Sequence, residues 1–222
     1  MKYFSYVVLF YFISSCSFSE NDSEYFEGVI EYNIDYIPYS DSFTSADLED
    51  VAGDKSILTF KKGNYKKEIY AKNGKLLSTI IFDKAQNKSF IKFVDQEIIY
   101  WVDITKHDTK LQFNQIKDSV CLGYSLIGVK TVGTTPVADS TLDIWGYYYY
   151  AKDLKINPDW YSNYFEANVN EIMKIGKGIS LIEIMGLPHW QKSIHATSIQ
   201  KRKVSDDELK VKFDKNLKLE EL

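Results

Sequence analysis

Cysteine, histidine and proline are scarce in this chain, which has two, three and four of them among 222 residues. Two cysteines, Cys16 and Cys121, cannot build the multi-bridge framework of a small secreted scaffold. The histidines are His107, His189 and His195, and the last two are separated by roughly 20 Å if the segment between them is extended, so they cannot share a metal as neighbours on one strand. No apolar run approaches the roughly 20 residues that a helix needs to cross a bilayer core, which excludes a retained transmembrane helix. Positive charge is also not in excess. Lys and Arg number 27 against 31 Asp and Glu, a net charge of −4, and an acidic surface does not attract nucleic acid. Catalytic signatures are missing as well. Gly176-Lys177-Gly178 lacks the length and the Ser/Thr of a phosphate loop, and Gly123-Tyr124-Ser125-Leu126-Ile127-Gly128 misses the nucleophile-elbow spacing by one residue. The carboxylates cluster at Asp47/Glu49/Asp50 and Asp206/Asp207/Glu208, in turn-like stretches where solvation accounts for them. The expectation is a protein with no metal, no cofactor and no catalytic constellation.

What the chain does have is aromatic and β-forming. Aromatic residues make up 15% and apolar residues 45%, the composition of a globular domain rather than a disordered one. Its start carries an address. Lys2 is the one charge before Tyr6-Val7-Val8-Leu9-Phe10-Tyr11-Phe12-Ile13, a short export-signal core. Ile13-Ser14-Ser15-Cys16 resembles the bacterial lipobox, which implies removal of residues 1–15 and acylation of Cys16. The other reading of these residues is an ordinary signal peptide cut near Ser15 that leaves a free thiol. Each buried methylene of an acyl chain contributes ~0.8 kcal/mol, so two or three chains on Cys16 hold a protein on a membrane with no spanning segment. Residues 16–24 read as the acylated cysteine and a polar tether. No Asp follows Cys16, which favours the outer membrane; the periplasmic and surface faces both stay open. An acylated Cys16 leaves Cys121 without a partner in the chain, and Val120-Cys121-Leu122 reads as a buried small hydrophobe.

From residue 25 to 213 the pattern has period two, as expected of a single domain, followed by a charged tail over 214–222. Glu27 to Ile37 places Ile30, Tyr32, Ile34 and Tyr36 on one face and Glu31, Asn33 and Asp35 on the other. Ser45 to Glu49 can start a short helix that Gly53 ends. Strands follow at Ser56–Lys61, Tyr65–Ala71, Leu76–Phe82, Ser89–Val94 and Ile98–Val102. Turns are expected at Gly63-Asn64 and at Asn73-Gly74, the latter with positive φ at both central positions. Leu111 to Val132 gives two strands that turn around Asp118 or Gly123, and Leu142 to Ala151 another, with Tyr147 to Tyr150 covered on both faces. Asn157-Pro158 then starts a helix. Tyr161, Phe165, Val169, Ile172 and Met173 fall on one apolar stripe of about four turns. Ile179–Met185 and Trp190–Lys203 return to strand, and Leu209 to Phe213 is a possible edge strand. The four tryptophans, Trp101, Trp145, Trp160 and Trp190, could line a ligand cavity but fit a core at strand positions. The fold class expected is mainly β with one major α-helix, a curved antiparallel sheet or half-barrel wrapped around the late helix, because the apolar stripe needs an apolar face to cover.

The order of several short motifs resembles the GLPGLI-type exported proteins and their LolA/LolB-like half-barrel relatives. These motifs are Phe26-x-Gly28-x-Ile30-x-Tyr32, Lys62-Gly63-Asn64-Tyr65, Tyr149-Tyr150-Ala151-Lys152-Asp153-Leu154, Gly178-Ile179-Ser180-Leu181-Ile182-Glu183 and Ala196-Thr197-Ser198-Ile199. The resemblance implies an antiparallel half-barrel on a helix, with an apolar cavity that receives acyl chains in the carrier relatives. Two functions are then expected to compete. One is an anchored lipoprotein that binds an apolar small molecule or lipid in a cavity lined by Tyr161, Phe165, Val169, Ile172 and Met173. The other is an envelope protein with a filled core that docks a protein partner through a sheet edge or the excursion at Ser45 to Gly53.

Overall fold

A computed structural model describes residues 24–106, 109–137, 140–210 and 217–222. The signal, the lipobox with Cys16, and His107 lie outside the described residues.

Strand β1 (Gly28–Pro38) leads through helix α1 (Ser45–Ala52) into a meander of β2 (Lys55–Lys61), β3 (Asn64–Tyr70), β4 (Leu76–Asp83), β5 (Lys88–Phe93) and β6 (Ile98–Asp103). Three longer strands follow, β7 (Lys110–Cys121), β8 (Tyr124–Val137) and β9 (Ser140–Lys155). A crossover then holds two 3-10 turns, Pro158–Tyr161 and Glu166–Asn168, and helix α2 (Val169–Gly176). β10 (Gly178–Gly186), β11 (Trp190–Lys201), the one-turn helix α3 (Asp206–Leu209) and β12 (Lys218–Glu221) complete the chain. All twelve strands belong to one open curved sheet, ordered β12-β6-β5-β4-β3-β2-β1-β11-β10-β9-β8-β7. Every neighbouring pair is antiparallel except β12 on β6.

The alternation in β1 sets which face is which. Ile30, Tyr32, Ile34 and Tyr36 are buried, while Asn33 and Asp35 are exposed. Between bulges the register keeps this parity from strand to strand, so one concave face carries the core. Bulges bend it. The register slips between Glu31 and Tyr32, between Ser180 and Ile182, and between Ile116 and Ser119. Curvature brings the far end of β7 over β11, where the half-buried Cys121 thiol lies 3.8 Å from the Ala196 carbonyl and burial pushes its pKa up.

The turns differ in detail from the sequence reading. Lys62-Gly63 and Leu122-Gly123 have positive φ at both residues and join strands whose flanking residues pair directly, the two-residue hairpin expected instead at Gly63-Asn64 and Asn73-Gly74. At Asn73-Gly74 only Gly74 has positive φ. The Gly74 N–H donates to the Ala71 carbonyl and the Ala71 N–H to the Lys75 carbonyl, a three-residue loop closed by a left-handed glycine. Helix α1 forms where expected, but Thr44 caps it: its hydroxyl accepts from the Asp47 N–H while the Asp47 carboxylate accepts from the Thr44 N–H. Leu209 ends α3, the rest of the expected edge strand, 211–213, lies outside the described residues, and Lys218–Glu221 pairs with β6.

Candidate functional site

The crossover from Ile156 to Lys177 lies across the concave face, and it is not the continuous four-turn helix that the apolar stripe predicts. Asn157 caps the first turn by accepting from the Asp159 N–H, with Pro158 at the first position, as the sequence indicates. The helix then fails to propagate. The N–H groups of Phe165 and Glu166 both donate to the Ile104 carbonyl in the β6–β7 loop, so they are lost to any i−4 partner. Ala167 and Asn168 adopt left-handed φ of 52° and 53°, and the Asn168 amide donates to the Leu111 carbonyl at 2.6 Å. Regular α-helix begins only at Val169, and Lys177 ends it in a left-handed cap.

The break turns the two halves of the crossover toward different parts of the sheet. In the first half, Tyr161 and Tyr164 stack on Phe82 at ring separations of 5.7 and 5.3 Å, and Tyr65 stacks on the same Phe82 ring at 5.3 Å. Trp160 packs on Phe60, and the Tyr161 hydroxyl donates to the Gly63 carbonyl. In the second half, Ile172 and Met173 pack with Val129 and Tyr150, and Gly176 sits so close to Tyr150 that a Cβ there would fall 2.6 Å from the ring.

Between the halves a cleft of about 300 Å³ remains. Leu58, Phe60, Ile156, Val169, Ile172, Met173 and Ile179 supply its apolar lining, and Tyr32, Tyr65, Tyr148, Tyr150, Tyr161 and Tyr164 ring it. Its remaining polar groups are Ser180, Lys67 and Glu183. Burial raises the hydroxyl pKa of all six tyrosines, with Glu183 adding to the rise at Tyr32, Tyr65, Tyr148 and Tyr150; Tyr148 and Tyr164 are pushed up to about 12. All are therefore neutral donors at physiological pH. A larger depression of about 540 Å³ lies between α1 and the outward side of β1, lined by Asp35, Glu49, Asp54, Lys55 and Lys72. Solvated charges make that surface unsuited to an apolar molecule.

Of the residues singled out in the sequence, Tyr161, Val169, Ile172 and Met173 line the cleft. Phe165 does not: it sits at the helix break, 40% exposed, and its ring is carried away from the stripe by the turn at Ala167-Asn168. None of the four tryptophans lines it either. Trp160 buttresses the first half of the crossover, Trp145 lies against Gly186, Trp190 meets Phe43, and Trp101 lies under the Lys88 ammonium. Sequence reading missed Leu58, Phe60, Tyr148, Tyr150, Lys67 and Glu183. Lys67 was detectable, because it shares the inward parity of Tyr65 and Ile69 in β3. Glu183 shares the parity of the buried Ile179 and Leu181 in β10. Among the described residues, no three His, Cys, Asp or Glu come together to hold a metal, and no helix is long and apolar enough to cross a membrane.

No family model matches the chain and no curated protein matches it. Among solved structures it is similar to the Mycobacterium tuberculosis lipoprotein LppX, with a TM-score of 0.36 and 11% identity over 81% of this chain and 89% of that one. It is also similar to LprF from Mycobacterium bovis, with a TM-score of 0.31 and 8% identity over 81% and 88%.

Proposed function

We propose that this chain is an exported lipoprotein, anchored through acyl chains on Cys16 in the outer membrane, whose curved sheet holds an apolar ligand or acyl chain. The observation that carries the reading is the cleft between sheet and crossover, apolar at its walls and rimmed by neutral tyrosines. Its size sets the load. At about 300 Å³ it sits at the small end of ligand pockets, and with about 30 Å³ for each water-sized group it takes roughly ten of them in a row. That volume matches one acyl chain of about ten carbons.

Native mass spectrometry with solvent extraction, on the exported protein carrying Cys16→Ser and therefore free of acyl chains of its own, tests the cargo. A bound mass in the lipid range that is lost when Ile172→Trp fills the cleft is the expected result. A clean apo mass, with added decanol failing to bind, overturns it. That outcome favours the docking protein, for which Ile37, Tyr39, Phe43 and Val51, exposed around α1, are the apolar surface. Fractionation tests the anchor separately: Cys16→Ser releases the protein from the outer membrane, and unchanged attachment refutes acylation there.

A further inference from the structure

The charges that face the cleft do not balance. Lys67 of β3 and Glu183 of β10 line it. Lys192 of β11 lies on the same concave face, paired in register with Tyr36. It is close enough for Lys67 and Glu183 both to act on its ammonium, which burial and then Lys67 lower to about 8. The tyrosines around them are protonated and contribute no charge. Two ammonium groups and one carboxylate therefore leave a single positive charge on an otherwise apolar and phenolic surface.

Among the described residues none of these three forms an ion pair or a hydrogen bond. The Lys67 ammonium stands 5.8 Å from the Tyr32 ring and the Lys192 ammonium 5.9 Å from the Tyr36 ring, the outer limit of a cation–π contact. Half-buried like charges held close together and only partly offset by one carboxylate are costly to a fold. A methionine would fill either position at no electrostatic cost, so the arrangement stabilises nothing in the empty protein. It becomes favourable once an anion enters.

We propose that the cleft takes a single-chain amphiphile with a monoanionic head group, carboxylate or phosphodiester, its chain against Val169, Ile172 and Met173 and its head between Lys67 and Lys192. This rests on the reading of the cleft as an apolar-ligand site and names the ligand's polar end. Glu183 sets the charge count, because it offsets one ammonium and repels a second negative charge on the ligand.

The test is calorimetric titration of the Cys16→Ser protein with four ten-carbon probes: decanoate, decanoyl lysophosphatidylglycerol, decanol and decyltrimethylammonium. Hydrogen bonds to a charged group are worth ~1.5–3 kcal/mol, so at least one of the two anions is expected to bind about tenfold tighter than decanol or better, and the cation most weakly. Lys67→Met/Lys192→Met brings the anion down to the affinity of decanol, and Lys67→Met alone does so in part if the double variant does not fold. Glu183→Gln shifts the anion the other way, to tighter binding, and leaves decanol unchanged. Preference for decanoate alone assigns a carboxylate head, preference for the lysophospholipid alone a phosphodiester, and both together the shared monoanionic class. Equal binding of the anions and decanol overturns the head-group assignment while the cleft stands, as does a preference that survives the double substitution. If no probe binds, decanol included, the apolar-ligand reading fails and this assignment fails with it.

Discussion

The two wings of the sheet solve the same problem in opposite ways. β2 to β6 are short, and beyond Leu58, Phe60, Tyr65 and Lys67, which reach the cleft, their inner face is filled: Phe82 is only 1% exposed and is stacked on Tyr65, Tyr161 and Tyr164. β7 to β9 are long, and the same crossover meets that wing with Ile172 and Met173 on Val129, Tyr148 and Tyr150. Flat rings close on one another and exclude space. Branched and unbranched aliphatic side chains on a two-turn helix do not reach across the curvature, and the cleft is what remains. One crossover, broken at Ala167-Asn168, thus makes a rigid wing and an open one.

The largest expected effect breaks the closed wing. Phe82→Ala removes a ring from a three-tyrosine stack and costs about 3–5 kcal/mol, read as a fall in the urea midpoint, whereas Ile172→Ala in the open wing costs about 2 kcal/mol because it widens space that already exists. Equal losses would abolish the distinction between the wings. Gly63→Ala comes next. The residue has φ of 86°, and a Cβ there falls 2.7 Å from that of Trp160, so about 1–3 kcal/mol is lost and the first half of the crossover lifts.

The third effect sharpens the comparison through pH. The Lys192 pKa is lowered to about 8 by burial and by the Lys67 charge, with the Glu183 charge acting the other way, and in the unfolded chain it titrates near ~10.4. Between these values the unfolded chain binds a proton that the folded one does not, so stability rises with pH from about 8 towards 10, by about 1–3 kcal/mol. Above about pH 10 the sign reverses. The buried tyrosines, Tyr36 as well as those of the cleft, have raised pKa values and ionise first in the unfolded chain. Thermal melts across this range show the rise in the native sequence and none in Lys192→Met. The smallest effect is at the edge: truncation after Lys210 removes β12, whose four residues are all exposed, and shifts the midpoint by less than about 1 kcal/mol while amide exchange in β6 speeds up.

The closed wing was the more legible from sequence. Period-two alternation depends only on neighbours along one strand, so β1 and the meander to β6 could be placed within a residue or two, and Ile30, Tyr32, Ile34 and Tyr36 fall inward as their spacing indicates. The open wing depends on partners distant in sequence. The apolar spacing from Tyr161 to Met173 fits a continuous helix, and only the Ile104 carbonyl, arriving from another loop, takes the N–H groups that such a helix would use. Phe165 was misplaced for that reason. Lys67 shares the parity of Tyr65 and Ile69, and Lys192 that of Ile194 and Ala196, so spacing turns both inward; that they meet Glu183 there depends on which strands become neighbours, which spacing along one strand does not give.

The pairing of β1 with β11 has a consequence for how the molecule comes into being. Gly28 lies opposite Lys201 and Pro38 opposite Trp190, so the first strand finds its second neighbour only after nearly the whole chain has been delivered. Until then β1 to β6 can form a local meander, but one edge of β1 and the apolar face of Ile30, Tyr32, Ile34 and Tyr36 stand unprotected. Such non-local closure is slow, and the waiting edge invites pairing with other chains. A polypeptide exported end-first would pass through this half-sheet stage at every synthesis, and a folding helper that shields the β1 edge until β11 arrives would raise the yield of native protein more than its final stability.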